Sequence, residues 1–312
     1  MGAFLYRYNK QLRDVSDALM GNYFEAGRDI VLVTGGVSGL GREIVGKFAA
    51  KKARVIVLDI QSPTMEDRVE NVHYYQCDVG NRNQLIEIHK KVIQEVGKPT
   101  VLINNAGIAR GKSLVELEYA EIEQMIHTNL LASFYTIKLL LPDMLEQKRG
   151  YIVTIASVLG YMCPARLSVY GASKSGLIAL HEALTYELGS PSWNKTGVKT
   201  LLVCPGQLKT NMFEGVVTPT KLLAPELDPA YVAERIYSAM EVGRKGDIKL
   251  PLYANLIPIF RALPWFFADG ARKLSGIDKS VANFKGVLNR ATNIVSLGRK
   301  VNGPRDTADI AE

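Results

Sequence analysis

Asp29-Ile30-Val31-Leu32-Val33-Thr34-Gly35-Gly36-Val37-Ser38-Gly39-Leu40-Gly41 is the stretch whose reading decides the fold. Its apolar run is β-branched without alternation, as a parallel strand covered on both faces requires. A helical pattern follows at once in the segment from Arg42 to Phe48. Between the two lie Gly35, Gly36, Gly39 and Gly41, with Ser38 and Leu40 among them. Glycines here permit a tight turn and let a pyrophosphate approach the backbone at a helix N-terminus. The free N–H groups and the helix dipole favour an anion there. The second strand, Arg54 to Asp59, ends in an acid that would accept hydrogen bonds from an adenosine ribose and repel a 2′-phosphate. Gly36, Val37 and Ser38 offer no basic side chain, so the expected cofactor is NAD rather than NADP.

The 312 residues are 47% hydrophobic and 22% charged, which indicates a globular chain and excludes a disordered one. The formal charge of +7 comes from scattered residues, so no block suits nucleic acid, and an anionic membrane surface fits better. Cys77, Cys163 and Cys204 are too few and too widely spaced for a disulfide framework or a metal site, and no metal is expected. His73, His89, His127 and His181 form no cluster and read as surface or packing residues. The organisation expected is an amphipathic segment over 1–28, a catalytic α/β domain over 29–250 and an apolar, then basic, extension over 251–312.

In the first segment Phe4, Leu5, Tyr8, Leu12, Val15 and Leu19 recur at helical spacing with Arg7, Lys10 and Arg13 interleaved. Such a helix lies on a membrane or docks on the protein's own surface. In the extension, Leu250 to Ala268 is apolar and aromatic. Pro251, Pro258, Pro264 and Arg261 argue against a straight span. An interfacial segment anchored by Trp265 and its Phe neighbours is expected, reinforced by Arg272, Lys273, Lys279 and Lys285. A lid over the substrate cleft or a dimer seam is the other reading of the same residues.

Tyr170 and Lys174 stand one helical turn apart on one face. A phenol with a pKa of about 10 holds its proton at neutral pH, and an ammonium one turn away is expected to pull that value down. Ser157, delivered by the strand before it, would hold a substrate oxygen beside the phenol. This is equipment for moving a proton on and off an alcohol or carbonyl oxygen. Cys163 reads as a small apolar wall residue of the same region, or as a reactive thiol.

Taken in order, these motifs resemble the short-chain dehydrogenase/reductase family. Thr34 to Gly41 matches its Thr-Gly-x-x-x-Gly-x-Gly motif. Asp78-Val79 matches an Asp-Val pair whose acid contacts adenine, and Asn104-Asn105-Ala106-Gly107 a signature that braces cofactor and sheet. Asn129 stands where the family has a helix Asn that holds a water next to the Lys. Pro205-Gly206-Gln207-Leu208-Lys209-Thr210 matches a Pro-Gly-x-x-x-Thr motif, in which Leu208 and Thr210 would orient the nicotinamide. The chain departs from the family between Asp59 and the third strand, where the short stretch containing Pro63 replaces a longer helix.

The resemblance implies a single Rossmann-type, doubly wound parallel sheet of about seven strands with helices on both faces. It implies catalysis by Asn129, Ser157, Tyr170 and Lys174. The remaining helical patterns, Gln84 to Val96, Ala120 to Gln147 with a break near Pro142, and Ala230 to Glu241, are scaffold. Pairing of the helices that carry Asn129 and Tyr170 would make a homodimer. The apolar tail resembles the membrane-associated retinol and 17β-hydroxysteroid dehydrogenase branch. That implies a lipophilic alcohol or carbonyl substrate and a place at the endoplasmic reticulum or a lipid droplet, or the cytosol if the tail is only a lid. A non-catalytic NAD-binding scaffold or sensor at a lipid surface is the alternative.

Overall fold

The computed structural model describes residues 23–189, 194–216, 225–281 and 284. Its strands are β1 (Ile30–Thr34), β2 (Arg54–Asp59), β3 (Val72–Gln76), β4 (Val101–Asn104), β5 (Gly150–Ile155), β6 (Val198–Pro205) and β7 (Gly246–Leu250). All pair in parallel, in the order β3-β2-β1-β4-β5-β6-β7. The strand order reverses between β1 and β4, which opens a crevice at the carboxyl ends of the strands. The principal helices are α1 (Gly39–Ala50), α2 (Arg82–Glu95), α3 (Tyr119–Ile126), α4 (Ala132–Glu146), α5 (Ser168–Glu187) and α6 (Pro229–Glu241).

Successive strand residues point to opposite faces, so one strand builds two cores. Val31 and Val33 of β1 pack with Ile44 and Phe48 of α1 and with Val232 and Ile236 of α6. Ile30 and Leu32 pack on the other face with Leu85 and Val92 of α2, Ile137 and Leu140 of α4, and Leu184 of α5. Phe48 is wholly buried, and burial of such a side chain stabilises by about 1.5–3 kcal/mol. This is the doubly wound sheet that the glycine stretch implies.

Phe24 lies edge-on to Phe48 and Tyr237, with centroids 4.9 and 5.8 Å away, and ties the start of the described chain to the first core. Next to it the Asp29 carboxylate accepts hydrogen bonds from Arg149 Nε and Nη2 at 2.8 and 2.7 Å and from Thr100 Oγ1 at 2.7 Å. Residues 23–29 therefore dock on the protein. Phe4 to Leu19, the amphipathic pattern, lie outside the described residues.

Two local expectations meet different outcomes. The stretch 60–71 contains turns and no helix, as its length implies; Asp67 there pairs with Arg42 of α1 at 2.7 Å. Pro142 does not break its helix: α4 runs through it to Glu146. Both Pro142 and Lys138, whose carbonyl loses its donor, are exposed, so water satisfies the freed group. The irregularity falls earlier, in a π-turn at His127–Leu131 joining α3 to α4.

Candidate active site

The glycine turn is shaped by what presses on it. Gly35 has φ +66°, and a Cβ there would stand 2.9 Å from Ala106 Cα. A Cβ on Gly41 would meet the Gly35 carbonyl oxygen at 1.9 Å, so only glycine fits. Ser38 caps α1 without a side-chain bond to the helix, which leaves its first N–H groups facing the crevice. Across the switch point Asn105 Nδ2 donates to the carbonyls of Thr34 and Gly35 at 3.0 and 2.9 Å. Thr34 Oγ1 accepts from the backbone of Asn105 and Ala106, both at 3.0 Å. Thr34 opens the glycine motif, and its brace joins segments far apart in sequence, which spacing alone does not mark.

Asp59 stands at the end of β2, where its two oxygens accept from Val37 N at 3.0 Å and Gln61 N at 2.9 Å. Burial raises its pKa, and these backbone bonds lower it in part. Each oxygen keeps a further lone pair for a ribose hydroxyl. Asp78 is exposed beyond β3 and accepts from Gly80 N at 2.9 Å, while Val79 is buried. At the far side Gly206 N donates to Leu250 O at 2.7 Å, holding the turn after Pro205. Leu208 bridges to Leu227, and the Thr210 side chain comes within 3.4 Å of where a Cβ on Gly39 would sit. Gly35, Ser38, Gly39, Leu40, Gly41, Asp59, Asn105, Ala106, Pro205, Gly206, Leu208 and Thr210 thus stand at the carboxyl ends of β1, β2, β4 and β6, on one edge of the sheet. A helix N-terminus without a side-chain cap, cradled by glycines, fits a dinucleotide's pyrophosphate.

Tyr170, Lys174, Ser157 and Asn129 are all buried at the same edge. Ser157 hydrogen-bonds the Tyr170 hydroxyl and also accepts from Leu159 N at 3.1 Å. Lys174 Nζ donates to Ile155 O at 2.9 Å and lies 5.8 Å from the Tyr170 ring centre. Asn129, in the π-turn, accepts from Ile108 N and donates to Ile108 O, both at 2.8 Å, and to Ser173 Oγ at 3.2 Å. A Cβ on Gly107 would lie 3.6 Å from both Asn129 Oδ1 and Lys174 Nζ, so Gly107 faces the pair. Ser173, which also donates to Tyr170 O at 2.7 Å, is a positioning residue that spacing alone did not mark.

The electrostatics correct one expectation. Burial pushes the Tyr170 phenol up, opposed in part by the Ser157 hydrogen bond, so that it stands above its ordinary value rather than below it. The same burial pulls Lys174 itself down to about 8. Loss of water disfavours both charged forms at once, and Lys174 Nζ is held at the Ile155 carbonyl. Burial also pushes Cys163 up to about 11, which favours the wall reading over the reactive thiol.

Around Tyr170 the walls are apolar: Ala109, Leu167, Phe213, Val281 and Phe284. The last two come from the C-terminal extension. Its first part, with the short helix α7 (Ile257–Phe260) and then α8 (Trp265–Ser275), carries Trp265 and Leu274 at 80% and 90% exposure, with Phe266 and Phe267 also outside. Its second part folds over Tyr170. Among the described residues no helix is long and apolar enough to cross a membrane. No cluster of three or more His, Cys, Asp or Glu among them suits a metal.

The short chain dehydrogenase family model matches residues 29–221. An uncharacterized oxidoreductase of Saccharomyces cerevisiae is 43% identical over 251 residues, covering 79% of this chain and 82% of that protein. Retinol dehydrogenase 10 of Homo sapiens is 31% identical over 299 residues, covering 85% and 87%. Among solved structures, 4-hydroxyisoleucine dehydrogenase complexed with NADH superposes with a TM-score of 0.63 at 25% identity, over 71% of this chain and 97% of that one.

Proposed function

The chain belongs to the short-chain dehydrogenase/reductase family of oxidoreductases with a nicotinamide-dinucleotide-binding Rossmann fold, and on that premise we propose that it interconverts a lipophilic alcohol and its ketone or aldehyde. The observation that carries this reading is the placement of Tyr170 and Ser157, the polar groups of the reaction, beneath an otherwise apolar wall. An alcohol whose body is hydrocarbon loses little on entering such a chamber, whereas a charged substrate would lose its hydration without a partner. The likeness to retinol dehydrogenase 10 supports the same substrate class.

The cofactor, NAD by preference because Asp59 faces the ribose side without a basic neighbour in the glycine turn, supplies the hydride acceptor. The chain's own groups do the rest. Ser157 holds the substrate oxygen and Tyr170 takes its proton in the oxidative direction. Lys174 favours the tyrosinate, and Asn129 fixes the turn through which the proton reaches Lys174. Leu208 and Thr210 close the cleft opposite α1. The exposed apolar residues of 252–267 support peripheral contact with a lipid surface. Arg272 belongs to an internal pair and adds little to that contact. The partly exposed Phe134 on α4 supports pairing of two copies through α4 and α5.

The test follows reduced-nicotinamide absorbance with purified protein, NAD or NADP, and sterols, retinoids and long-chain alcohols, with and without vesicles. NAD-dependent turnover of one class is expected. Cofactor binding with no turnover of any class would instead favour a non-catalytic scaffold.

A further inference from the structure

Resting on that alcohol reading, we propose that Phe213 and Phe284 form a displaceable plug over Tyr170, latched by Arg272 and Asp278, that selects alcohols by the size of their apolar body. Phe213 meets the Tyr170 ring edge-on at 5.6 Å between centroids, and Phe284 meets Phe213 in the same way at 6.1 Å. Space for the outer ring is built in on the opposite wall. A Cβ on Gly111 would stand 2.5 Å from Phe284 Cβ. With both rings in place Tyr170 is 4% exposed. An alcohol that reaches the hydroxyl must therefore move them.

Beside the packing of Val281, specific polar contacts hold the tail. Arg272 Nη1 donates to Cys163 O at 3.0 Å, and Ala165 N donates to Asp278 Oδ1 at 2.8 Å. Arg272 and Asp278 face each other as an ion pair, with Nε to Oδ2 at 3.2 Å. The pair clamps the tail to the 163–165 loop, which lies between Ser157 and Tyr170 in the chain. Its members are 26% and 40% exposed, so water screens the pair and it opens readily. A substrate whose apolar body replaces the displaced rings restores the lost contacts. A short alcohol leaves a void and is disfavoured.

Cys163 packs under this plug, whereas Cys77 is fully buried in the second core. The rate at which a small thiol reagent alkylates Cys163, read by peptide mass, therefore reports opening, with Cys77 as the control for folding. Phe284→Ala and Asp278→Asn are each expected to raise the Cys163 rate several-fold while Cys77 stays slow. With alcohols of increasing chain length, Phe284→Ala is expected to raise kcat/KM for the short members about tenfold through KM, and for the long ones much less. Wild-type Cys163 rates in both variants would overturn the plug. So would an equal change in kcat/KM at every chain length. If wild type turns over no alcohol, the alcohol reading fails, and the Cys163 rates still decide whether the plug exists.

Discussion

At the amino edge of the sheet the buried Asp29 carboxylate takes donors from Arg149, Thr100 and the Glu25 backbone, all within 2.8 Å. At the carboxyl edge the buried Lys174 reaches the Ile155 carbonyl, and among the described residues no carboxylate pairs with it. Both edges bury charge. The first surrounds it with partners, so that the ion pair fixes where β1, β4 and β5 begin. The second leaves it short of them, so the lysine sits near 8 and the phenol beside it is shifted as well. Shifted protonation equilibria cluster where charge is buried without a partner, as at this edge.

Exchanging one residue at each edge should separate the two roles. Tyr170→Phe removes the proton acceptor, and turnover is expected to fall by about 10³-fold or more, with melting temperature and cofactor affinity nearly unchanged. Lost cofactor binding in calorimetry would mean that Tyr170 has been given the wrong role. Arg149→Met leaves the Asp29 carboxylate buried without its main partner. It should cost about 3–5 kcal/mol of stability, read as an earlier denaturant midpoint, while kcat of the folded fraction holds. A selective loss of kcat there would erase the contrast between the edges.

The smallest effect is a change of slope. Below pH 8 Lys174 is charged and favours tyrosinate; above it that charge is lost. The oxidative kcat/KM should climb with pH as Tyr170 releases its proton and then bend near pH 8. Lys174→Arg keeps the charge and should remove the bend. A bend that survives in that variant would belong to another group.

Much of this was legible along the chain because its cause is local. Ile30 to Ala50 contains the whole strand-turn-helix device, and Tyr170 and Lys174 share a helix face by spacing alone. What was not legible depends on burial or on contacts between distant segments. The phenol's shift runs upward because the tail and the 161–167 loop exclude water from it. Pro142 continues its helix because its place on the surface lets water replace the missing bond. Arg272 reads as a surface charge, and only the fold brings it and Asp278 to the backbone of Cys163 and Ala165. Phe284 lies beyond the apolar stretch that ends at Ala268, and only the fold, with Gly111 making room for it, brings it near Tyr170.

This edge of the sheet is expected to move a hydride and a proton off an alcohol. The most direct test uses a long-chain alcohol deuterated at the carbinol carbon, incubated with NAD and either wild type or Tyr170→Phe, with the reduced cofactor analysed by mass spectrometry. One deuterium per reduced cofactor with wild type, and no label above background with the variant, is the expected result. Unlabelled cofactor from wild type that demonstrably binds both NAD and the alcohol would contradict it.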